Sequence, residues 1–337
     1  MDTPLMELKN VDMYFYKKSG LFTRPTGIGA AVGINMRINA GEITALVGES
    51  GGGKTTIGNI LTGLLKPTAG EVLFQGKNIY KMNRKEFQEY RYGVQLVQQD
   101  SYAALNPVRT IEHSLTAPIL SRRIARNHRE AVEKAKEALL RVELSPPEMF
   151  LEKYPHQLSG GQRQRILMAR AILMNPRVIV ADEPVSMIDV SLRISILNLM
   201  GRLNRELNIA FLYITHDLAT ARYIAQNGNI TVLYLGKIVE SGKASLVLEQ
   251  PVHPYLQALL TAVPIPDPDI EERKRGLPLK SVDMPSVADP PSGCRFHPRC
   301  LYADERCSLE EPELLFFKGR LCACHHVDRI PEWSYLK

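Results

Sequence analysis

Residues 48–55, GESGGGKT, satisfy the pattern G-x-x-x-x-G-K-[ST]. In that pattern backbone amides cradle phosphate, the lysine neutralises it, and the terminal hydroxyl holds magnesium. Gly48, Gly51 and Gly53 let the main chain approach an anion closely, with Ser50, Lys54, Thr55 and Thr56 as candidate polar contacts. An ordinary glycine-rich turn is the plain alternative, but here an apolar run, ITALV, precedes the turn and a helix-periodic run (Ile57, Ile60, Leu61, Leu64) follows it. A second candidate anion site is Leu158-Ser159-Gly160-Gly161-Gln162, where a serine hydroxyl and free amides open a helix. Two more apolar runs end in chemistry: VIVAD closes on Asp182 with Glu183 directly after it, and IAFLYIT is followed by His216. Taken alone, adjacent acids after a strand are more often a solvated turn, and a lone histidine is more often structural. Their weight comes from the motifs around them.

Such side chains need a scaffold that gathers strand ends. Residues 43–47, 178–182 and 209–215 read as buried parallel strands of an α/β sheet, in which ligands bind beyond the C-terminal strand ends. Between residues 110 and 155 the pattern turns to Ala, Glu, Arg and Lys at helical spacing, which predicts a helical insertion. Residues 230–242, ITVLYLGKIVESG, alternate around a glycine and read as a hairpin closing a first domain. Residues 264–291 hold seven prolines and read as a linker into a C-terminal module.

The bulk composition restricts the function classes. A length of 337 residues suits one large domain plus an appendage. With 45% apolar and 23% charged residues the chain is neither disordered nor membrane-spanning by composition. No apolar run approaches the roughly 18 residues of a membrane span, so membrane association is expected only through partners. The segment MDTPLMELKN lacks the basic and apolar regions of a signal peptide, so a cytoplasmic location is expected. A formal charge of +6 suits nucleotides or anionic surfaces, but Lys and Arg are dispersed, and no nucleic-acid partner is expected.

All five cysteines lie after residue 293: Cys294, Cys300, Cys307, Cys322 and Cys324. This clustering points to a local metal site in a reducing compartment more than to a disulfide framework. The first three are spaced C-x5-C-x6-C, with Cys324 following after 16 residues, and the short zinc knuckle is missing. By spacing alone free or disulfide-bonded thiols, zinc and an iron–sulfur cluster all stay open.

With LSGGQ at 158–162 placed before the strand ending in Asp182, the chain resembles the ABC ATPase family. The resemblance implies an ABC-type P-loop ATPase of the α/β class, with a RecA-like core, an antiparallel β subdomain, a helical subdomain and a small Cys-rich C-terminal module. It places the ATPase domain at 1–255, with the helical subdomain at about 100–165, and the linker and module at 256–337. Asp182 then matches the carboxylate that orients magnesium, together with Thr55 and Gln99, and Glu183 matches the general base for the attacking water. His216 matches the switch histidine, and Gln99 the glutamine that links the site to membrane subunits. The loop here reads Gln98-Gln99-Asp100-Ser101 where the family usually has Phe-Gln-Asp-Pro. Leu158, Ser159, Gly160, Gly161 and Gln162 would cap the γ-phosphate of ATP held by a second subunit, and Asp189 of SMID would reach across the dimer. Phe15 falls where the family stacks an aromatic on adenine, with Tyr14 and Tyr16 as flanking alternatives.

Longer stretches narrow the branch: YPHQLSGGQRQRI, ADEPVS, LNPVRT, YLGKIVESG and HPYLQALLTAVPIPDP look like the oligopeptide/dipeptide importer ATPases. The insertion KKSGLFTRPTG before the phosphate loop is also typical of such importers. SGGQ with EPVS resembles the F-type subunit, which implies a heterodimer with a D-type ATPase, two transmembrane permease subunits and an extracytoplasmic solute-binding protein. The implied location is peripheral, at the cytoplasmic face of the cell membrane. Implied cofactors are ATP, Mg2+ and a [4Fe–4S] cluster on Cys294, Cys300, Cys307 and Cys324. Cys322 is extra, and it or His325 could replace Cys324. The expected function is ATP hydrolysis driving uptake of peptides or related solutes. The alternative, a soluble ABC ATPase acting on nucleic acid or ribosomes, lacks its marks: a coiled-coil insertion, a second cassette and a basic stripe. An iron–sulfur sensing protein with an incidental ATPase fold is opposed by the intact Glu183 and His216.

Overall fold

Side chains that alternate at every second residue split the central strands between two cores. In β3 (Ile43–Val47), Ala45 and Val47 face one cluster and Leu46 the other. β7 (Val178–Asp182) sends Ile179 and Ala181 to the first and Val178 and Val180 to the second. β8 (Ala210–Thr215) divides Phe211 and Tyr213 from Leu212 and Ile214 in the same way. A strand covered on both faces favours apolar residues nearly throughout, which is why these three read as almost continuous runs, broken by Thr44 and ended by Asp182 and Thr215. The chain is seen in a computed structural model that describes residues 3–17, 26–263 and 278–333.

These strands belong to an eight-stranded sheet completed by β6 (Val94–Val97), β9 (Asn229–Tyr234), β10 (Lys237–Lys243), β11 (Leu315–Phe317) and β12 (Arg320–Cys322). Its order is β11-β12-β10-β9-β3-β8-β7-β6. Pairing is parallel from β6 to β9, then antiparallel through the expected β9–β10 hairpin and on to β12 and β11. A separate antiparallel sheet runs β2-β1-β4-β5, from β1 (Met6–Lys17), β2 (Thr26–Ile38), β4 (Ala69–Phe74) and β5 (Lys77–Asn78). It covers α1 (Lys54–Leu61), whose Ile57, Ile60 and Leu61 share the second core with Met6 and Leu8. Asn83 forms a capping box at the start of α2 (Arg84–Gly93).

The helical insertion consists of α3 (Ile111–Ser121), α4 (His128–Arg141), α5 (Glu148–Leu151) and α6 (Gly160–Ile172). α7 (Val190–Leu207) and α8 (Leu218–Ile224) pack on the first core. After α9 (Ala244–Glu249) comes α10 (Pro254–Ala262). Pro254 sits where a missing amide costs nothing, and the His253 side chain accepts the Tyr255 N–H. The domain boundary read at 255 therefore falls inside a helix.

The C-terminal segment differs from the small separate module expected. Its described part carries α11 (Glu305–Leu309) and then β11 and β12, which extend the main sheet. Phe296 and Cys300 join the first core instead of forming one of their own. A fully buried ion pair, Arg320 Nη1 to Glu240 Oε1 at 3.3 Å, ties β12 to β10, and Glu240 also accepts the N–H groups of Val252 and His253. Of the proline-rich stretch, 264–277 lie outside the described residues, as do residues 18–25 of the insertion KKSGLFTRPTG.

Candidate nucleotide-hydrolysis site

The phosphate loop turns from β3 into α1. A Cβ at Gly53 would lie 1.9 Å from the Ala30 carbonyl oxygen, and one at Gly48 would lie 2.1 Å from that of Leu233. Both positions are closed to any other residue. Gly53, at φ 99°, supplies no side-chain cap to α1, so the first-turn amides and the positive end of the helix dipole stay available to an anion. Ser50, Gly51 and Thr55 are exposed on the loop, and Thr56 is half-buried. Lys54 is buried, with Nζ 2.7 Å from the Gly48 carbonyl oxygen and 3.0 Å from that of Glu49. Two of its three donors are thereby directed and one remains. Burial holds the Lys54 pKa below its usual value, against the opposing pull of Glu183, Asp182 and Glu49.

Asp182 ends β7 and is buried. Desolvation raises its pKa, Thr55 offsets this through a side-chain hydrogen bond, Glu183 adds to it, and Lys54 opposes it. The Asp182 Oδ1 atom is buried without a hydrogen-bond partner. An orphaned acceptor costs free energy unless something completes it, and a carboxylate beside a threonine hydroxyl is the oxygen donor set that magnesium takes. The residues present therefore fit the cation.

Glu183 sits at φ 47°, in a region that non-glycine residues rarely occupy. Its N–H donates to the Ile214 carbonyl at 2.9 Å, so the neighbouring strand fixes the turn. His216 follows β8 and meets Glu183 twice: its N–H donates to Oε1 at 2.9 Å, and Nδ1 lies 2.7 Å from the same oxygen. An ionised carboxylate only accepts, so that contact requires a proton on Nδ1. Thr215 Oγ1 lies 3.4 Å from the other oxygen.

Gln99 lies two residues beyond β6 and is exposed. The loop after it is attached to the helical lobe. Arg163 of α6 lays its guanidinium over the Tyr102 ring at 4.0 Å and donates to Ser101 Oγ at 3.4 Å, and Arg170 donates to the Ala104 carbonyl at 2.7 Å. Ser101, where the family usually has proline, is thus used as an acceptor. Ser159 caps α6 through a capping box: its Oγ accepts the Gln162 N–H, and the Gln162 Oε1 accepts the Ser159 N–H. Leu158 and Gly161 are buried, Gly160 and Gln162 half-buried, and Ser159 exposed. Asp189 precedes α7 without capping it and is exposed, flanked by exposed Met187 and Val190. Phe15 pairs with Ile28 in β2, while Tyr14 and Tyr16 pair with Gly29 and Gly27, so Phe15 lies on the opposite face of β1 from the two tyrosines.

Three contributors to the phosphate loop were not singled out from sequence. Arg299 makes a forked ion pair with Glu49, and the Tyr255 hydroxyl accepts the Glu49 N–H at 3.0 Å. Glu49 occupies a free position of the loop pattern, and Arg299 lies 250 residues away, so neither carries a local signal.

Of the four expected cysteines, Cys294, Cys300 and Cys307 each add to the raised pKa of Cys324, behind the larger effect of burial. Burial pushes the Cys294 thiol up to about 11 and that of Cys324 up to about 12, and it raises Cys300, Cys307 and Cys322 as well. Among the described residues the group with ligand atoms within 4.8 Å of one another is Asp304, Cys307 and His326. Its donors are mixed, not four thiolates. His325 is engaged elsewhere, its Nε2 lying 2.9 Å from the Glu310 carbonyl oxygen.

Residues 32–186 match the family described as ABC transporter, and residues 239–307 match the oligopeptide/dipeptide transporter C-terminal region. The oligopeptide transport ATP-binding protein AppF of Bacillus subtilis (strain 168) is 41% identical over 328 residues, covering 95% of this chain and 97% of that protein. The chain belongs to the oligopeptide/dipeptide ABC transporter ATP-binding proteins. The dipeptide transport ATP-binding protein DppF of Haemophilus influenzae is 39% identical, covering 97% of this chain and 98% of its own. A dimeric ATP-binding cassette, MJ0796, in a post-hydrolysis state bound to ADP and Pi, superposes with a TM-score of 0.62 at 32% identity, covering 71% of this chain and 98% of that one. As an ABC transporter ATP-binding protein the chain is an ATPase that powers import. The iron–sulfur expectation is corrected: these relatives are described by ATP binding and peptide transport, with no iron–sulfur description. Among the described residues no helix is long and apolar enough to cross a membrane.

Proposed function

We propose that the chain hydrolyses ATP to drive uptake of oligopeptides or dipeptides, as the F-type subunit paired with a D-type ATPase. In this reading it lies at the cytoplasmic face of the membrane beneath two transmembrane permease subunits, which receive cargo from an extracytoplasmic solute-binding protein. The observation that carries the reading is the convergence of Lys54, Asp182, Glu183 and His216 at the ends of β3, β7 and β8. The peptide transport descriptions of relatives matched along nearly their full length support the cargo class.

Lys54 and the α1 amides hold the β- and γ-phosphates. Thr55 and Asp182, with Gln99 from its exposed loop, hold magnesium, which when bound neutralises charge on the phosphates. Glu183 takes the proton of the attacking water, and His216 holds its carboxylate in register through Oε1. Ser159 and its neighbouring glycines serve the partner's ATP, since they open a helix of the separate helical lobe at an exposed edge. Asp189 belongs to the same edge, and exposed Met187 and Val190 beside it suit burial against a second cassette. An aromatic of β1 stacks on adenine, Phe15 from one face of the strand or Tyr14 or Tyr16 from the other.

The test is purification of the tagged chain from detergent-solubilised membranes, followed by reconstitution into vesicles and measurement of labelled tripeptide uptake with ATP. Copurification with two polytopic subunits and a second ATPase, and ATP-dependent uptake, is expected. Ribosomal or DNA-associated partners with no uptake would overturn the reading.

A further inference from the structure

The phosphate loop contains a carboxylate, Glu49, in a place that must receive a polyanion. Coulomb repulsion between them is weakly screened at a partly buried site. The C-terminal segment answers that charge. Arg299, 7% exposed in its side chain, sets Nη1 2.9 Å from Glu49 Oε2 and Nη2 3.2 Å from Oε1, the two-pronged geometry in which guanidinium binds carboxylate best. Its guanidinium carbon lies 5.8 Å from the ring centres of both Tyr234 and Phe296, and its main chain is pinned by the Lys280 N–H on its carbonyl at 2.9 Å. Tyr255, packed on Tyr234 with ring centres 4.6 Å apart, accepts the Glu49 N–H. The Glu49 carbonyl in turn receives Lys54 Nζ at 3.0 Å. An aromatic wall built from β9, α10 and the 294–300 loop therefore presents one buried cation to the back of the phosphate loop.

We propose that Arg299 sets the affinity of the site for ATP by neutralising Glu49, so that the C-terminal segment acts on nucleotide binding through a single charge. This rests on the reading of residues 48–56 as the phosphate cradle. Arg299 does not touch the nucleotide. It acts through Glu49, and its effect is cancelled when the carboxylate is removed.

The experiment is titration of the purified full chain with a fluorescent ATP analogue and magnesium. Arg299→Met should weaken binding roughly five- to fiftyfold, as coupled neighbours do. The double variant Arg299→Met/Glu49→Gln should recover most of that loss. Glu49→Gln alone, which leaves the buried cation uncompensated, should bind somewhat more tightly than the wild type. It also provides the readout if Arg299→Met does not fold. Unchanged affinity in Arg299→Met, no recovery in the double variant, or weaker binding by Glu49→Gln would each overturn the proposal. Lys54→Ala separates the two levels: its loss of binding upholds the cradle, while wild-type binding by that variant would remove the cradle reading itself.

Discussion

The two candidate phosphate-binding ends of this chain are finished to different degrees. At the phosphate loop the charged groups are buried or half-buried and hold partners within the chain, except for the orphaned Asp182 Oδ1: Lys54 rests on two carbonyls, Asp182 bonds Thr55, and Glu49 pairs with Arg299. At the signature end Ser159 is exposed and, among the described residues, partnered by its own helix, and Asp189, Met187 and Val190 are exposed beside it. Both ends offer helix amides to an anion. One is largely assembled within the chain, and the other has an open, partly apolar edge of the kind that suits a second chain.

The sharpest way to break this contrast is at the chemistry of the more complete end. Glu183→Gln is expected to cut ATP turnover by about 10² to 10⁴, the usual share of a general base, while ATP binding by the purified chain persists. Steady-state phosphate release alongside nucleotide titration measures both, and retained turnover would remove Glu183 from its role. A change at the open end should act only in the assembled pair. Ser159→Arg is expected to lower turnover of the reconstituted transporter by about 10² to 10³, as loss of charge-stabilising donors does, with ATP affinity of the isolated chain unchanged. A matching loss of affinity in the isolated chain would show that the signature serves its own nucleotide and would erase the contrast.

The smallest effect concerns the wall behind the phosphate loop. Burial pushes His253 down to about 3, opposed by a hydrogen bond with the Ala323 backbone. Its ring accepts the Tyr255 N–H at 3.1 Å and so works as a neutral acceptor. Between about pH 6.5, the unfolded value, and pH 3 the unfolded state binds more protons, so stability falls with acid across that window and the loss levels off below it. His253→Asn keeps an acceptor without a proton to gain. Its melting temperature is expected to fall less between pH 7 and pH 5 than that of the wild type, and equal slopes would assign the acid sensitivity to other groups.

Legibility followed locality. β3, β7, β8 and the β9–β10 hairpin were readable because strands covered on both faces are apolar nearly throughout and the chemistry sits at their ends. The capping box at Ser159 and Gln162 lies within four residues, and the sequence displays both partners. The Glu49–Arg299 pair was not readable, because two common charged residues in distant loops meet only after the sheet has formed. β11 and β12 were missed because each is three residues long, below the length at which alternation is a signal. The cysteine pattern misled in a different way. It drew attention to the thiols, and the residues between them, Arg295, Phe296 and Arg299, went unread, although Arg295 reaches the Leu235 carbonyl and Phe296 enters the core.

The pairing of β12 with β10 also bears on how the chain is made. During synthesis the ATPase motifs up to His216 leave the ribosome about 100 residues before Arg320 and Cys322 can close the edge of β10. Until then Glu240 faces a half-formed core without its arginine, and β10 offers unpaired backbone groups to any neighbouring chain. The edge of the main sheet is thus closed by residues made long after the nucleotide motifs, so a chain that stops short of β12 is expected to leave the β10 edge open.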